Sequence, residues 1–258
     1  MDLGLKGKRA LVLGASRGLG RAIAETLARE GATVIAAARN DAAIAEWAAA
    51  LPGTDVTPLK IDLADIASVD AAADRLLADG GVDILVNNAG GPAPGTALGS
   101  PREAWVGNFE AMAASLFHLS SRLVPVMRER GWGRVITIGS SGVEQPIPNL
   151  AMSNGIRAAV LAWSKTLASE VAADGVTVNM VVPGRIHTAR VDELDAAAAK
   201  RTGKSIEEIA KASAASIPAA RYGRPQEFAD MVVFLASERA SYVTGSRVRV
   251  DGGAIRSL

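Results

Sequence analysis

The sequence contains no cysteine and only two histidines, and its aromatic residues make up 4% of 258. Without cysteine there are no disulfides, no thiolate nucleophile and no Cys-based zinc or iron–sulfur site. With two histidines, a metal centre would have to be mostly carboxylate. Neither sign of charge is in excess: 28 Lys plus Arg against 27 Asp plus Glu leave +1. A strongly basic surface for nucleic acid is thereby excluded. No run approaches the ~18 apolar residues of a membrane span. The start, Met1-Asp2-Leu3-Gly4-Leu5-Lys6-Gly7-Lys8-Arg9, carries charges where a signal peptide has an apolar core, so a cytoplasmic protein is expected. What remains is 49% apolar and 21% charged, with 26 Gly, which is enough chain and enough apolar content for a substantial core.

Short apolar runs recur at Arg9 to Leu13, Thr33 to Ala38, Asp83 to Val86, Arg134 to Ile138, Val176 to Val182 and Arg247 to Val250. Nearly uninterrupted Val/Ile-rich runs suit strands buried on both faces of a parallel sheet. Between them lie helical stripes, such as Leu19, Ile23 and Leu27 running to a capping Gly31, and Ile156, Val160, Trp163, Leu167 and Val171. The alternation predicts an α/β fold: one Rossmann-type doubly wound parallel sheet over 1–258, with helices on both faces and ligands at the carboxyl ends of the strands. One stretch, 188–225, breaks the rhythm with helical pieces around Val191–Arg201 and Ile206–Ser216. It reads either as a lid over the substrate or as a solvated helical cap.

The first strand runs into Gly14-Ala15-Ser16-Arg17-Gly18-Leu19-Gly20 and then a helix. Glycines there permit a tight turn and let backbone N–H groups approach a pyrophosphate at the helix N-terminus. The second strand ends in Ala38-Arg39-Asn40, where an acidic residue would hold an unmodified ribose. Arg39 and Arg17 offer cationic forks to a 2′-phosphate instead, favouring NADP(H) over NAD(H); the alternative is two exposed surface arginines. The third strand is expected to end at Ile61-Asp62-Leu63, with the carboxylate placed to accept from an adenine amino group.

Taken with Asn87-Asn88-Ala89-Gly90, Gly133-Arg134-Val135-Ile136-Thr137-Ile138-Gly139-Ser140, Pro183-Gly184-Arg185-Ile186-His187-Thr188 and Val250-Asp251-Gly252-Gly253, these motifs make the chain resemble a short-chain dehydrogenase/reductase over essentially its full length. It is most similar to the 3-oxoacyl-carrier-protein-reductase-like branch. One motif residue departs: Leu13 stands where the family usually has Thr. The resemblance implies a cofactor site of Gly14, Ser16, Arg17, Gly18, Leu19, Gly20, Arg39, Asn40, Asp62, Leu63, Asn88, Ala89, Gly90, Arg157, Pro183, Gly184, Ile186 and Thr188. It also implies a small-molecule substrate and a homo-oligomer, tetramer or dimer. The oligomer would assemble through helices near Met112–Arg128 and Ile156–Val171, where Ala158, Ala159 and Ala162 allow close approach.

The same resemblance implies an Asn–Ser–Tyr–Lys catalytic set, and here the pattern fails. Counting from Ser140 by the family's spacing puts Ser153 at the tyrosine position and Arg157 at the lysine position. Met112 stands at the asparagine position, with Asn108 one turn earlier. The catalytic residues implied are therefore Ser140, Ser153 and Arg157. An aliphatic hydroxyl is a far weaker acid than a phenol, and arginine stays protonated where lysine relays a proton. Losing a positioned general acid costs about 10²–10⁴ in rate, which weakens hydride transfer without forbidding it. His187 could supply a proton or be an exposed loop residue; His118 reads as a packing or interface residue. Glu144 and Gln145 are cavity-lining or simple loop residues, and Arg185 either holds an anionic substrate or is solvated. Three functions compete: an NADP(H)-dependent oxidoreductase on a carbonyl or alcohol, a cofactor-binding non-catalytic subunit, and a non-redox lyase or isomerase. Halohydrin dehalogenases illustrate the last, although they keep the tyrosine and lack the dinucleotide loop.

Overall fold

The computed structural model describes residues 1–257. Seven parallel strands form one sheet: β1 (Arg9–Leu13), β2 (Thr33–Ala38), β3 (Asp55–Lys60), β4 (Ile84–Asn87), β5 (Gly133–Ile138), β6 (Val176–Pro183) and β7 (Arg247–Val250). Their order is β3-β2-β1-β4-β5-β6-β7, so the winding reverses between β1 and β4. A crevice opens at the carboxyl ends of those two strands, where an open α/β sheet takes its ligand.

The apolar runs form strands because both faces are covered. Leu11, Leu13, Leu85, Val135, Val178 and Met180 face one core, shared with α3 (Ile66–Ala78), α5 (Ser115–Glu129) and α6 (Ala151–Val171). Ala10, Val12, Ile84, Val86, Ile136 and Val181 face the other, with α1 (Gly18–Arg29), α2 (Asp41–Ala49) and α9 (Pro225–Ala236). Strand β3 ends at Lys60, so Ile61-Asp62-Leu63 lie just beyond it rather than within it. Pairing lapses there because Asp62 turns the chain: its side chain accepts from the Ala64 N–H and its own N–H donates to Ser68.

Between β4 and β5, α4 (Arg102–Phe109) joins α5 through a widened π-helical turn at Glu110–Ala114. That turn carries Met112 into the core at 3% exposure. After β6 come α7 (Ala189–Thr202) and α8 (Ile206–Ala215), a turn longer and slightly shorter, respectively, than the periodicity predicts. Helix α7 stops at Gly203, which has φ +71°, and α8 starts on a Ser205/Glu208 capping box. Among the described residues no helix is long and apolar enough to cross a membrane.

Candidate active site

At the reversal point the phosphate loop is shaped by what it has no room for. A Cβ on Gly20 would lie 2.2 Å from the Gly14 carbonyl oxygen, and one on Gly14 would lie 2.7 Å from Asn88 Nδ2. Gly14 and Gly18 also take φ of +63° and +61°, a region costly for residues with a side chain. The loop is tied down on three sides. The Ala15 N–H donates to the Ala37 carbonyl. Trp47 Nε1 donates to the Ala15 carbonyl (3.1 Å), and Asn88 Nδ2 to the Leu13 carbonyl (3.2 Å). With Leu13 in place of a threonine, the link between β1 and the β4 exit is made by its backbone carbonyl.

Helix α1 opens from extended Arg17 with no side-chain cap, whereas Asn40 caps α2 and Asp65 caps α3. Its first N–H groups are thus left free at the positive end of the helix dipole, in a cradle that excludes side chains. These residues fit a dinucleotide pyrophosphate. Ser16 is half-buried in the loop and Leu19 packs on the core behind it. Arg39 is exposed beyond β2. Asn40 is committed through its side chain to the Ala43 N–H at 3.1 Å.

The catalytic end lies at the carboxyl ends of β4 and β5. Arg157 of α6 spans both strands: Nη1 donates to the Ile138 carbonyl (3.0 Å) and Nη2 to the Ala89 carbonyl (3.1 Å). Burial pulls its pKa down to about 10, so the guanidinium keeps its charge at neutral pH. Two of its five N–H donors are spent on these carbonyls, and three remain. Ser140 Oγ accepts from the Gly142 N–H (3.2 Å), which leaves its O–H to donate elsewhere. The start of α6 closes on this turn, because a Cβ on Gly142 would meet Asn154 Oδ1 at 2.3 Å. Ser153, beside Asn154 and one turn before Arg157, is half-buried. Asn108 donates to the Ala104 carbonyl within its own helix, and Met112 is turned into the core.

Beyond β6, Gly184 passes so close to Asp251 that a Cβ would sit 2.6 Å from its Cα. Pro183 ends the strand, Ile186 is buried at 4% exposure, and Thr188 Oγ1 donates to the Ile186 carbonyl. Thr188 comes up against Gly18, its methyl 3.8 Å from where a Cβ would be. The phosphate loop and the start of α7 therefore face each other. Arg17 reaches Glu193 of α7 (3.5 Å), and Arg190 pairs with the same carboxylate (3.3 Å) while donating to the Pro92 carbonyl.

The structure also places the other side chains singled out in the sequence. Arg185 is partly exposed, and its Nη1 is committed to Asp195 at 2.5 Å. Glu144 is neither a cavity wall nor a plain loop residue. Its carboxylate is 2% exposed and held by Arg247 (2.9 Å) and Arg249 (2.5 Å) of β7. Gln145 is exposed. His187 is largely exposed and paired with Asp192 (3.3 Å), and His118 packs α5 on α3 by bonding Asp70 (2.7 Å). That bond, with Arg122 nearby, holds the Asp70 carboxyl below its ordinary pKa.

Trp47, Asp195 and Tyr222 were missed as site-supporting residues. Asp195 had a signal: it stands on the same face of α7 as buried Val191 and Ala199, in steps of four. Two surface hollows, of about 300 Å³ by Asp2 and Glu238 and about 320 Å³ by Thr177 and Tyr242, lie at the opposite ends of the strands and contain none of these residues. Donor geometry rather than hollow size marks the site.

A strand–glycine-turn–helix at the winding reversal, with a serine on the β5 exit facing a cationic α6, defines an oxidoreductase of dinucleotide-binding type. The chain belongs to the short-chain dehydrogenase/reductase family: a family model described as "Enoyl-(Acyl carrier protein) reductase" matches residues 14–254. Within the family it is similar to the 3-oxoacyl-[acyl-carrier-protein] reductase FabG of Escherichia coli (strain K12), 38% identical over 97% of this chain and 98% of the relative. Among solved structures it is similar to L-sorbose reductase from Gluconobacter frateurii complexed with NADPH and L-sorbose. That match has TM-score 0.94 and 37% identity, and covers 100% of both chains. It is also similar to YwfH, an NADPH-dependent reductase involved in bacilysin biosynthesis, with TM-score 0.93 and 29% identity over 98% of this chain and 100% of the other.

Proposed function

We propose that the chain is an NADP(H)-dependent oxidoreductase acting on a carbonyl or alcohol through a site that lacks the family's tyrosine and lysine. The observation that carries this reading is the open amino terminus of α1, framed by Gly14 and Gly20, at which no Cβ fits. Arg17 and exposed Arg39 supply positive charge for a 2′-phosphate, in line with relatives whose structures contain NADPH. Asp62, Leu63, Asn88, Ala89, Gly90 and the Pro183–Thr188 turn complete the cofactor site. The chain acts in the cytoplasm as a homo-oligomer.

When bound, the dinucleotide supplies or accepts the hydride. Ser140 directs its free O–H at the substrate oxygen. Arg157, already fixed by two carbonyls, turns its remaining N–H groups toward developing negative charge and loses no orientational freedom in doing so. Ser153 is too short and too weak an acid to replace a phenol, so the proton comes from water held between the hydroxyls. The deciding experiment pairs NADPH titration by fluorescence with a hydride-transfer panel of 3-oxoacyl and enoyl thioesters, sugar-type ketones, aldehydes and imines. NADPH binding with turnover of at least one class is expected. Binding without any turnover overturns the enzymatic part in favour of a cofactor-binding subunit, and turnover without nicotinamide points to lyase or isomerase chemistry.

A further inference from the structure

Helices α7 and α8 leave the sheet after β6 and return just before α9, and both ends of this excursion are stitched together. The His187 N–H donates to the Gly223 carbonyl (2.8 Å) and the Gly223 N–H to the Arg185 carbonyl (2.9 Å). Ile186 packs so tightly on Gly223 that a Cβ there would meet its Cδ1 at 2.5 Å. Above this stitch sits Asp195, a carboxylate on α7 that is 2% exposed. Arg185 Nη1 bonds one oxygen (2.5 Å), and the Tyr222 hydroxyl donates to the other (2.8 Å). The guanidinium also lies over the Tyr222 ring at 5.8 Å, and Ser213 of α8 approaches the same phenol.

We propose that Asp195 is a positioning residue that bolts the α7–α8 lid to the turn following β6, and that this buried bolt, rather than the exposed pairs at the rim, holds the lid over the site. A carboxylate taken out of water persists only if both oxygens are bonded, and here each has one partner, from opposite ends of the excursion. The rim pairs Arg17–Glu193 and Arg190–Glu193 have about half or more of each side chain in solvent, where such pairs hold little. The bolt also ties α7 to the turn of Ile186 and Thr188, so lid and cofactor turn move as one body. Its bearing on substrate rests on the oxidoreductase reading above; its bearing on the lid does not.

The test is limited trypsin digestion of the full chain, with cleavage followed at exposed Lys200, Arg201, Lys204 and Lys211. Cleavage of a locally opened segment tracks its open population. Asp195→Asn is expected to speed cleavage at these sites by about tenfold or more, and Tyr222→Phe by about threefold. Glu193→Gln should stay within about twofold of the parent chain. The double variant Arg185→Met/Asp195→Leu should return to within about threefold, because an apolar pair leaves no charge without its partner. Equal cleavage of Asp195→Asn and the parent overturns the bolt. So does cleavage spread evenly along the chain, which marks general unfolding, or an acceleration by Glu193→Gln as large as that by Asp195→Asn. If the chain turns over a carbonyl substrate, Asp195→Asn should raise KM by about tenfold with kcat and NADPH affinity changed less than about threefold. A kcat loss at unchanged KM overturns the positioning role even if the lid loosens.

Discussion

The two ends of the cleft are made of different material. At the β1 exit the cradle is main chain: the Gly14 carbonyl, the free N–H groups of α1 and the Ala15 amide bonded to Ala37. At the β5 exit the groups proposed to act on the substrate are side chains, namely Ser140, Ser153 and Arg157. A site built from backbone needs only residues small enough to stay out of the way, so it survives as long as the glycines do. A site built from side chains changes its chemistry with each substitution while the backbone beneath keeps its shape. Here the backbone shape is set by the π-turn at Glu110–Ala114 and by the close seat of α6 on the Ser140 turn.

Breaking the backbone end should have the largest effect. Gly20→Ala forces a methyl to within 2.2 Å of a carbonyl oxygen. Fluorescence titration should show NADPH binding weakened by at least about 100-fold, ~2.8 kcal/mol. Binding within threefold of the parent would mean that the cradle is not where the phosphates sit.

Rebuilding the side-chain end comes next. Ser153→Tyr with Arg157→Lys restores an acid and its tuning cation, and should raise kcat for a turned-over ketone by about 10²-fold. The pH profile sharpens the comparison further. The parent guanidinium is charged below about 10 and loses its proton only above it. Its contribution should therefore be flat from about pH 6 to 9, whereas the rebuilt phenol should add a falling basic limb. No gain in rate would place the defect in the walls of the substrate site.

A smaller effect separates the two cofactors. Arg39→Ala should weaken NADPH about tenfold while leaving NADH within about twofold, because only the 2′-phosphate meets the guanidinium. Equal losses for both would make Arg39 a general surface charge. The smallest effect tests backbone strain at the return of the lid. Ala220 takes φ +54°, and Ala220→Gly should stabilise the chain by about 0.5–1 kcal/mol, read from denaturant midpoints at constant slope.

What could be read from the sequence follows the same division. Strands buried on both faces are continuous apolar runs, so all six runs form strands within a residue of their ends, whereas β3, an edge strand of mixed exposure, gives no such run. The phosphate loop was legible because its glycines are fixed by sterics that act within a few residues. Asp195 was less so: its steps of four from Val191 and Ala199 mark a buried face, but its burial as a charge depends on Arg185 and Tyr222, which only the folded chain brings together. Glu144 was hidden for the same reason, its partners Arg247 and Arg249 lying on the far edge strand. The side-chain turn at Asp62 ends β3 at Lys60, short of the expected Ile61-Asp62-Leu63.

The reach of Arg157 across Ile138 and Ala89 also bears on what holds the mouth of the sheet together. A planar fork that satisfies a carbonyl on each of two neighbouring strands is part of the scaffold as well as of the chemistry. Arg157→Lys alone would replace two fixed donors with one mobile ammonium and loosen the β4–β5 exit. The arginine is therefore a tie between two strand exits as much as a charge in the cleft, and its removal should be felt in stability as well as in any chemistry.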